Sequence, residues 1–232
     1  MLFADNIIAF NAGLSLDRVT LPEGIRAMNP FRQAEGNVNQ VAERFYHKFY
    51  SDNHSRRIML GINPGRFGAG ATGVPFTDTK RMEARCGIKV NGLHTHEPSS
   101  VFVYDMIEAF GGPESFYSQI YITSLSPLGF VKQNERGREV NYNFYDQKDL
   151  QEAVTPFIVD SLRKQIAFGI DTSVVYLLGT GKNYKFFKKL NEQHHFFRQI
   201  VPLEHPRYII QYKSRSKDAY IAKYLQAIAL EY

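Results

Sequence analysis

GINPGRFGAGATGVPFTD, residues 61–78, contains five glycines, two prolines, one cation at Arg66 and a single acid, Asp78, at its far end. It overlaps the apolar run Ile58–Ile62, which reads as a buried strand that stops in the turn sequence Asn63-Pro64-Gly65. The uncharged loop beyond, with Gly65, Gly68, Gly70 and Gly73, reads as backbone free to approach a ligand, its amides suited to anionic or carbonyl oxygens. Three further β-rich runs also end in polar or special residues. Ile120–Leu125 leads into Ser126-Pro127, Ser173–Leu178 into Gly179-Thr180-Gly181-Lys182, and Gln199–Leu203 into Glu204-His205-Pro206-Arg207.

Helical patterns separate these runs. Val38, Val41, Phe45 and Phe49 recur at helical spacing, and Val101, Asp105 and Ala109 mark a face of a helix that starts near Ser99–Ser100 and stops at Gly111-Gly112-Pro113. Phe157, Ile158, Leu162 and Ile166 follow Thr155-Pro156, which has the form of an N-cap and a first-turn proline. A last helix over 216–230 places Ile221, Tyr224, Leu225 and Ile228 on one core face. Strands alternating with helices predict an α/β fold with a central four-stranded, mainly parallel sheet flanked by helices on both faces. The 232 residues are expected to form one domain, with residues 1–55 as its N-terminal helical part. In such sheets ligands bind beyond the carboxyl ends of the strands, so the four polar clusters are expected to meet along one edge.

Lys and Arg number 28 against 23 Asp and Glu, a formal net charge of +5, and 14 Tyr with 18 Phe make the chain aromatic although it has no Trp. Most of those rings must be core, but mild basicity with exposed aromatics also suits single-stranded or distorted nucleic acid. The single cysteine, Cys86, excludes an internal disulfide and a four-cysteine metal site. The opening MLFADNIIAF lacks the basic start of a signal peptide and no apolar run approaches membrane-spanning length, so a cytoplasmic protein is expected.

Phe76 closes the uncharged loop with a flat apolar face, and amide donors plus a ring describe a pocket for a planar heterocycle. His205, between a strand and Pro206, reads either as a structural histidine or as a donor to an oxygen gaining negative charge. Gly179-Thr180-Gly181-Lys182 lacks the spacing of a phosphate-binding P-loop, and Asn183 stands where its hydroxyl residue belongs, so it reads as a strand-to-helix turn. His94, His96 and Cys86 are ligand types in a loop-like stretch, and no metal site is expected from them. Lys213, Arg215 and Lys217 read equally as a solvated face or as phosphate contacts.

Asn63-Pro64-Gly65-Arg66-Phe67-Gly68 followed by Thr72-Gly73-Val74-Pro75-Phe76 resembles the first motif of the uracil-DNA glycosylase superfamily, in its single-strand-selective monofunctional branch. The resemblance runs on through 100–128, Leu178-Gly179-Thr180-Gly181 and His205-Pro206, and it is closest to a bacterial sub-branch. It implies a monofunctional DNA glycosylase of base excision repair that hydrolyses the N-glycosidic bond of uracil, single strands favoured, as a monomer without metal or organic cofactor. By that resemblance Asn63 positions the attacking water, His205 hydrogen-bonds the departing base, Phe76 stacks on it, and Gly65 and Phe67 offer amides. Arg207, Tyr208, Lys213 and Arg215 become the candidate DNA contacts. Two positions depart from the pattern. Ser124 replaces an asparagine that reads the uracil edge, and a rotating hydroxyl discriminates less than a planar amide, which extends the expected range to xanthine and hypoxanthine. The segment after His205 is two residues shorter than the family's wedge into duplex DNA. A non-catalytic binder of single-stranded or damaged DNA and a nucleoside or nucleotide hydrolase are the competing readings.

Overall fold

The computed structural model describes residues 1–32 and 37–230. Seven strands occur among them: β1 (Ile25–Met28), β2 (Arg56–Gly61), β3 (Ile120–Ser124), β4 (Gly129–Gln133), β5 (Glu139–Tyr142), β6 (Ile170–Leu178) and β7 (Gln199–Leu203). The four runs expected to be strands form one sheet in the order β3-β2-β6-β7, with every pairing parallel. Every residue of β3 is buried and so is nearly all of β2, as continuous apolar runs require in a sheet covered by helices.

Among the described residues ten α-helices surround the sheet: α1 (Phe3–Ala12), α2 (Val38–Phe49), α3 (Ala69–Thr72), α4 (Thr79–Ala84), α5 (Pro98–Phe110), α6 (Pro113–Tyr117), α7 (Lys148–Ile166), α8 (Lys182–His194), α9 (Pro206–Tyr212) and α10 (Lys217–Ala229). The domain is thus mixed α/β. Helix α2 buries Val38, Val41, Phe45 and Phe49 as its spacing requires, and α10 buries Tyr224 and Ile228 with Ile221 and Leu225 beside them. None of the described helices is long and apolar enough to cross a membrane.

Helix α5 turns Phe102, Val103, Met106 and Ile107 to the core, so the face marked by Val101, Asp105 and Ala109 is its outer one. Two readings need correction. Helix α7 begins at Lys148, so Thr155-Pro156 lies inside it; the Thr155 hydroxyl donates to the Gln151 carbonyl at 2.6 Å instead of capping a start. The N-terminal part is not wholly helical, because β1 joins β4 and β5 in a small antiparallel sheet, order β1-β4-β5, that the sequence pattern does not reveal.

At the amino ends of the large sheet sits Arg56, fully buried. Its guanidinium makes paired bonds to Asp52 at 2.7 and 2.8 Å and a third to the Tyr117 carbonyl at 2.8 Å, while the rings of Phe3 and Tyr50 lie within 4.9 Å. The paired bonds hold the Asp52 carboxyl below its ordinary range. A buried charge so completely bonded locks the end of the sheet at which the strands begin.

Candidate active site

The opposite, carboxyl end gathers the residues singled out from the sequence. Asn63 lies two residues beyond β2, half-buried, and backbone groups fix its carboxamide. Its Nδ2 donates to the Tyr142 carbonyl at 3.2 Å and its Oδ1 accepts from the Phe144 N–H at 3.2 Å. A carbonyl can only accept and an N–H can only donate, so these partners determine which end of the amide is oxygen. The clamp comes from the exit of β5, which no residue-type signal in the sequence marks; the only hint is the apolar alternation Val140, Tyr142, Phe144.

The loop after Asn63 is less open than its composition implies. Gly68 and Gly70 donate their amides inward to the Gly65 carbonyl, and the Arg66 amide donates to Asn141 Oδ1 at 3.1 Å. The amides of Gly65 and Phe67 have no partner among the described residues, and these are the two expected to face a ligand. The Phe67 ring stands 51% exposed, with the Arg66 guanidinium 5.1 Å from its centroid.

Phe76 is buried with φ 54°, a left-handed conformation that costs a non-glycine residue on the order of 1 kcal/mol or more. Its ring lies directly over Gly61: a Cβ at that position would come within 2.8 and 2.9 Å of two ring atoms. Gly61 pairs in register with Ser124, the last residue of β3, whose Oγ lies 3.4 Å from the same point. On the other side the Phe76 centroid is 5.7 Å from that of His205, with the planes at 51°. Phe76 therefore bridges β2, the end of β3 and His205.

His205 caps α9, its Nδ1 accepting the Arg207 N–H at 3.2 Å. A neutral ring that accepts at Nδ1 carries its proton on Nε2, leaving that atom a donor. Burial, with the Arg207 charge beside it, lowers His205 to about 4, so the neutral form holds at physiological pH.

Arg207 and Tyr208 lie on the exposed side of α9 while Ile209 is fully buried, so the segment expected to be a short wedge loop is the first turn of a helix. Tyr208 and Tyr212 expose rings whose centroids are 5.5 Å apart. Lys213 and Arg215 follow, exposed, but Lys217 pairs with Asp105 at 2.6 Å and is not a free cation. Gly179–Lys182 is a strand-to-helix turn, as its spacing implies. Cys86 is buried with its Sγ 3.1 Å from the Tyr104 hydroxyl, whereas His96 stands 3.0 Å from Arg81 and 3.4 Å from Asp78.

Asp78, which ends the opening stretch, is fully buried and caps α4, accepting from the amides of Arg81 and Glu97 and from the Ser100 hydroxyl at 2.7–2.8 Å. It ties the end of the Phe76 loop to the start of α5 and takes no other part in the cluster.

Comparisons with known proteins bear on the family and the fold. The family model described as the uracil DNA glycosylase superfamily matches residues 47–229. No curated protein matches the chain. Among solved structures, the crystal structure of wild-type SMUG2 from Pedobacter heparinus superposes with a TM-score of 0.95 at 55% sequence identity, covering 98% of this chain and 97% of that one.

Proposed function

The chain belongs to the uracil DNA glycosylase superfamily, hydrolases of N-glycosyl bonds in DNA repair, and from that premise we propose that it excises uracil, and deaminated purines such as xanthine and hypoxanthine, preferentially from single-stranded DNA. The observation that carries this reading is the cluster at the carboxyl edge, where a clamped Asn63 amide beyond β2, a His205 beyond β7 with its proton on Nε2, and the Phe76 ring between the β2 loop and His205 lie along one edge of the sheet.

Breaking a glycosidic bond develops positive charge on the sugar and negative charge on the base. The base, brought out of its stack, lies against Phe76. The Nε2–H of His205 donates to the base oxygen as charge gathers there; a neutral donor loses no proton to a base that leaves as an anion. The amides of Gly65 and Phe67 add further donors. Asn63 Oδ1 keeps one lone pair after accepting from Phe144, and that lone pair orients the attacking water. An amide takes no proton, so Asn63 positions the water without acting as a base, which suits a dissociative transition state that asks little of its nucleophile. The rotatable Ser124 hydroxyl, buried at the end of β3, meets a donor or an acceptor on the base edge, which supports the wider substrate range.

The test is base release from oligonucleotides carrying uracil, xanthine or hypoxanthine, single-stranded and duplex, with free deoxyuridine as a further arm. Release from DNA but not from the nucleoside is expected, with Asn63→Ala and His205→Ala each slowing single-turnover release on the order of 100-fold while the thermal transition stays cooperative. Binding without release would make the protein a damaged-DNA binder, and release from free deoxyuridine a nucleoside hydrolase. Wild-type rates in both variants would remove the assigned roles.

A further inference from the structure

Glu97 stands immediately before Pro98, the first residue of α5, its backbone N–H donating to Asp78 Oδ2 at 2.8 Å. Its side chain reaches back over the glycine-rich loop that leaves β2. A Cβ built on Gly68 would fall 1.8 Å from Oε2, and one on Gly65 3.5 Å from Oε1, so the carboxyl group lies against the backbone of this loop in space that two glycines leave open. No donor among the described residues bonds to either oxygen. With Arg66, Phe67, Val140, Asn141 and Arg207, Glu97 lines a cleft of about 280 Å³ beside the Asn63 loop.

The charges around it come from the loop after β2, α4 and its flanks, and α9. Asp78, at the start of α4, lies behind it and is itself held by Arg81, with His96 3.4 Å away. Arg66 on the loop and Arg207 on α9 share the cleft, and β5 offers only the uncharged Val140 and Asn141 there. Burial and the Asp78 carboxylate raise Glu97 to about 7, against the pull of Arg207. Near neutrality the group is therefore protonated about half the time, an unpaired O–H donor between two arginines. A permanent carboxylate would repel an anion from that cleft; the neutral acid adds a third donor to it.

We propose that Glu97 binds the DNA backbone as a neutral acid, its O–H donating to a phosphodiester oxygen held between Arg66 and Arg207. The proposal rests on the DNA-acting function given above and adds to it a proton balance. Above neutrality the carboxylate takes one proton from solvent as the strand binds, and releases it when the strand leaves.

The experiment measures the Kd of a single-stranded oligonucleotide carrying a non-cleavable tetrahydrofuran abasic site, at fixed salt between pH 6 and pH 8, for the wild type and Glu97→Gln. Wild-type Kd is expected to weaken about tenfold over that range, because each unit above the group's midpoint costs a factor approaching ten. Glu97→Gln keeps an N–H donor that does not titrate, and its Kd is expected to change less than about twofold. Every other side chain is the same in both proteins, so the difference between the two slopes belongs to position 97. The same slope in both proteins overturns the proposal while leaving the glycosylase reading intact; no binding by either at any pH overturns both. Calorimetry of wild-type binding at pH 8 in buffers of different ionisation enthalpy needs no variant: uptake approaching one proton supports the proposal, and no uptake overturns it.

Discussion

Gly61 is closely covered in the candidate site, beneath the ring of Phe76 and opposite Ser124. A methyl group there has no room unless the ring moves, and the Phe76 backbone, already at φ 54°, has little freedom to follow. Gly61→Ala is therefore expected to cost about 1–3 kcal/mol of stability and to push the ring toward His205. Thermal denaturation would show a modest loss, and single-turnover base release a loss on the order of 100-fold; a variant that releases base at the wild-type rate would show that the ring's seat is not critical. The same crowding bears on His205. Its value near 4, against about 6.5 in the unfolded chain, means that its neutral form contributes stability fully above pH 6.5, a contribution lost as pH falls through 4. Glu97 runs the other way: raised to about 7, it stabilises the fold fully below about 4.5, and that contribution fades as pH rises toward 7.

Helix α7 carries Pro156 in its ninth position, exposed, with no N–H to return to the Glu152 carbonyl four residues earlier. Pro156→Ala restores that bond without emptying any packed space, and is expected to stabilise the protein by up to about 3 kcal/mol, read as a rise in Tm. A Tm that stays or falls would mean that the fixed backbone angle of Pro156 is needed to seat Val154 and Ile158. The misreading of this helix has the same origin, because Thr-Pro is a strong start signal and only tertiary packing extends the helix ahead of it. The four parallel strands were legible because a strand buried on both faces is apolar throughout, and the rule that ligands gather beyond their ends led to Asn63, Ser124 and His205. The small sheet was not, since β5 is four residues long, largely exposed and polar at alternate positions. Its contribution to the site is also made by backbone, the Tyr142 carbonyl and the Phe144 N–H, and a main-chain donor or acceptor leaves no mark in residue type. Glu97 was missed for a related reason: a glutamate before a proline reads as an ordinary helix start, and only the fold lays it on Gly68.

Across the whole molecule, several of the cations are held in ion pairs, as at Arg56 and Lys217, but Arg207, Lys213 and Arg215 follow His205 along one exposed stretch with Tyr208 and Tyr212 between them. Cations alternating with exposed rings fit a strand whose phosphates meet charge and whose bases stack. Replacing Lys213 and Arg215 by Ala is expected to weaken single-strand binding and to flatten the plot of log K against log salt by about 1.4, roughly 0.7 for each phosphate no longer neutralised. A slope equal to the wild type's would make both residues solvated surface. The large sheet divides its labour between its two ends, since the Arg56–Asp52 lock closes the end where the strands begin and the candidate cluster lies where they finish. On the function proposed above, substitution at Ser124 and its neighbours leaves that distant ionic rivet untouched, so selectivity and folding are open to change one without the other.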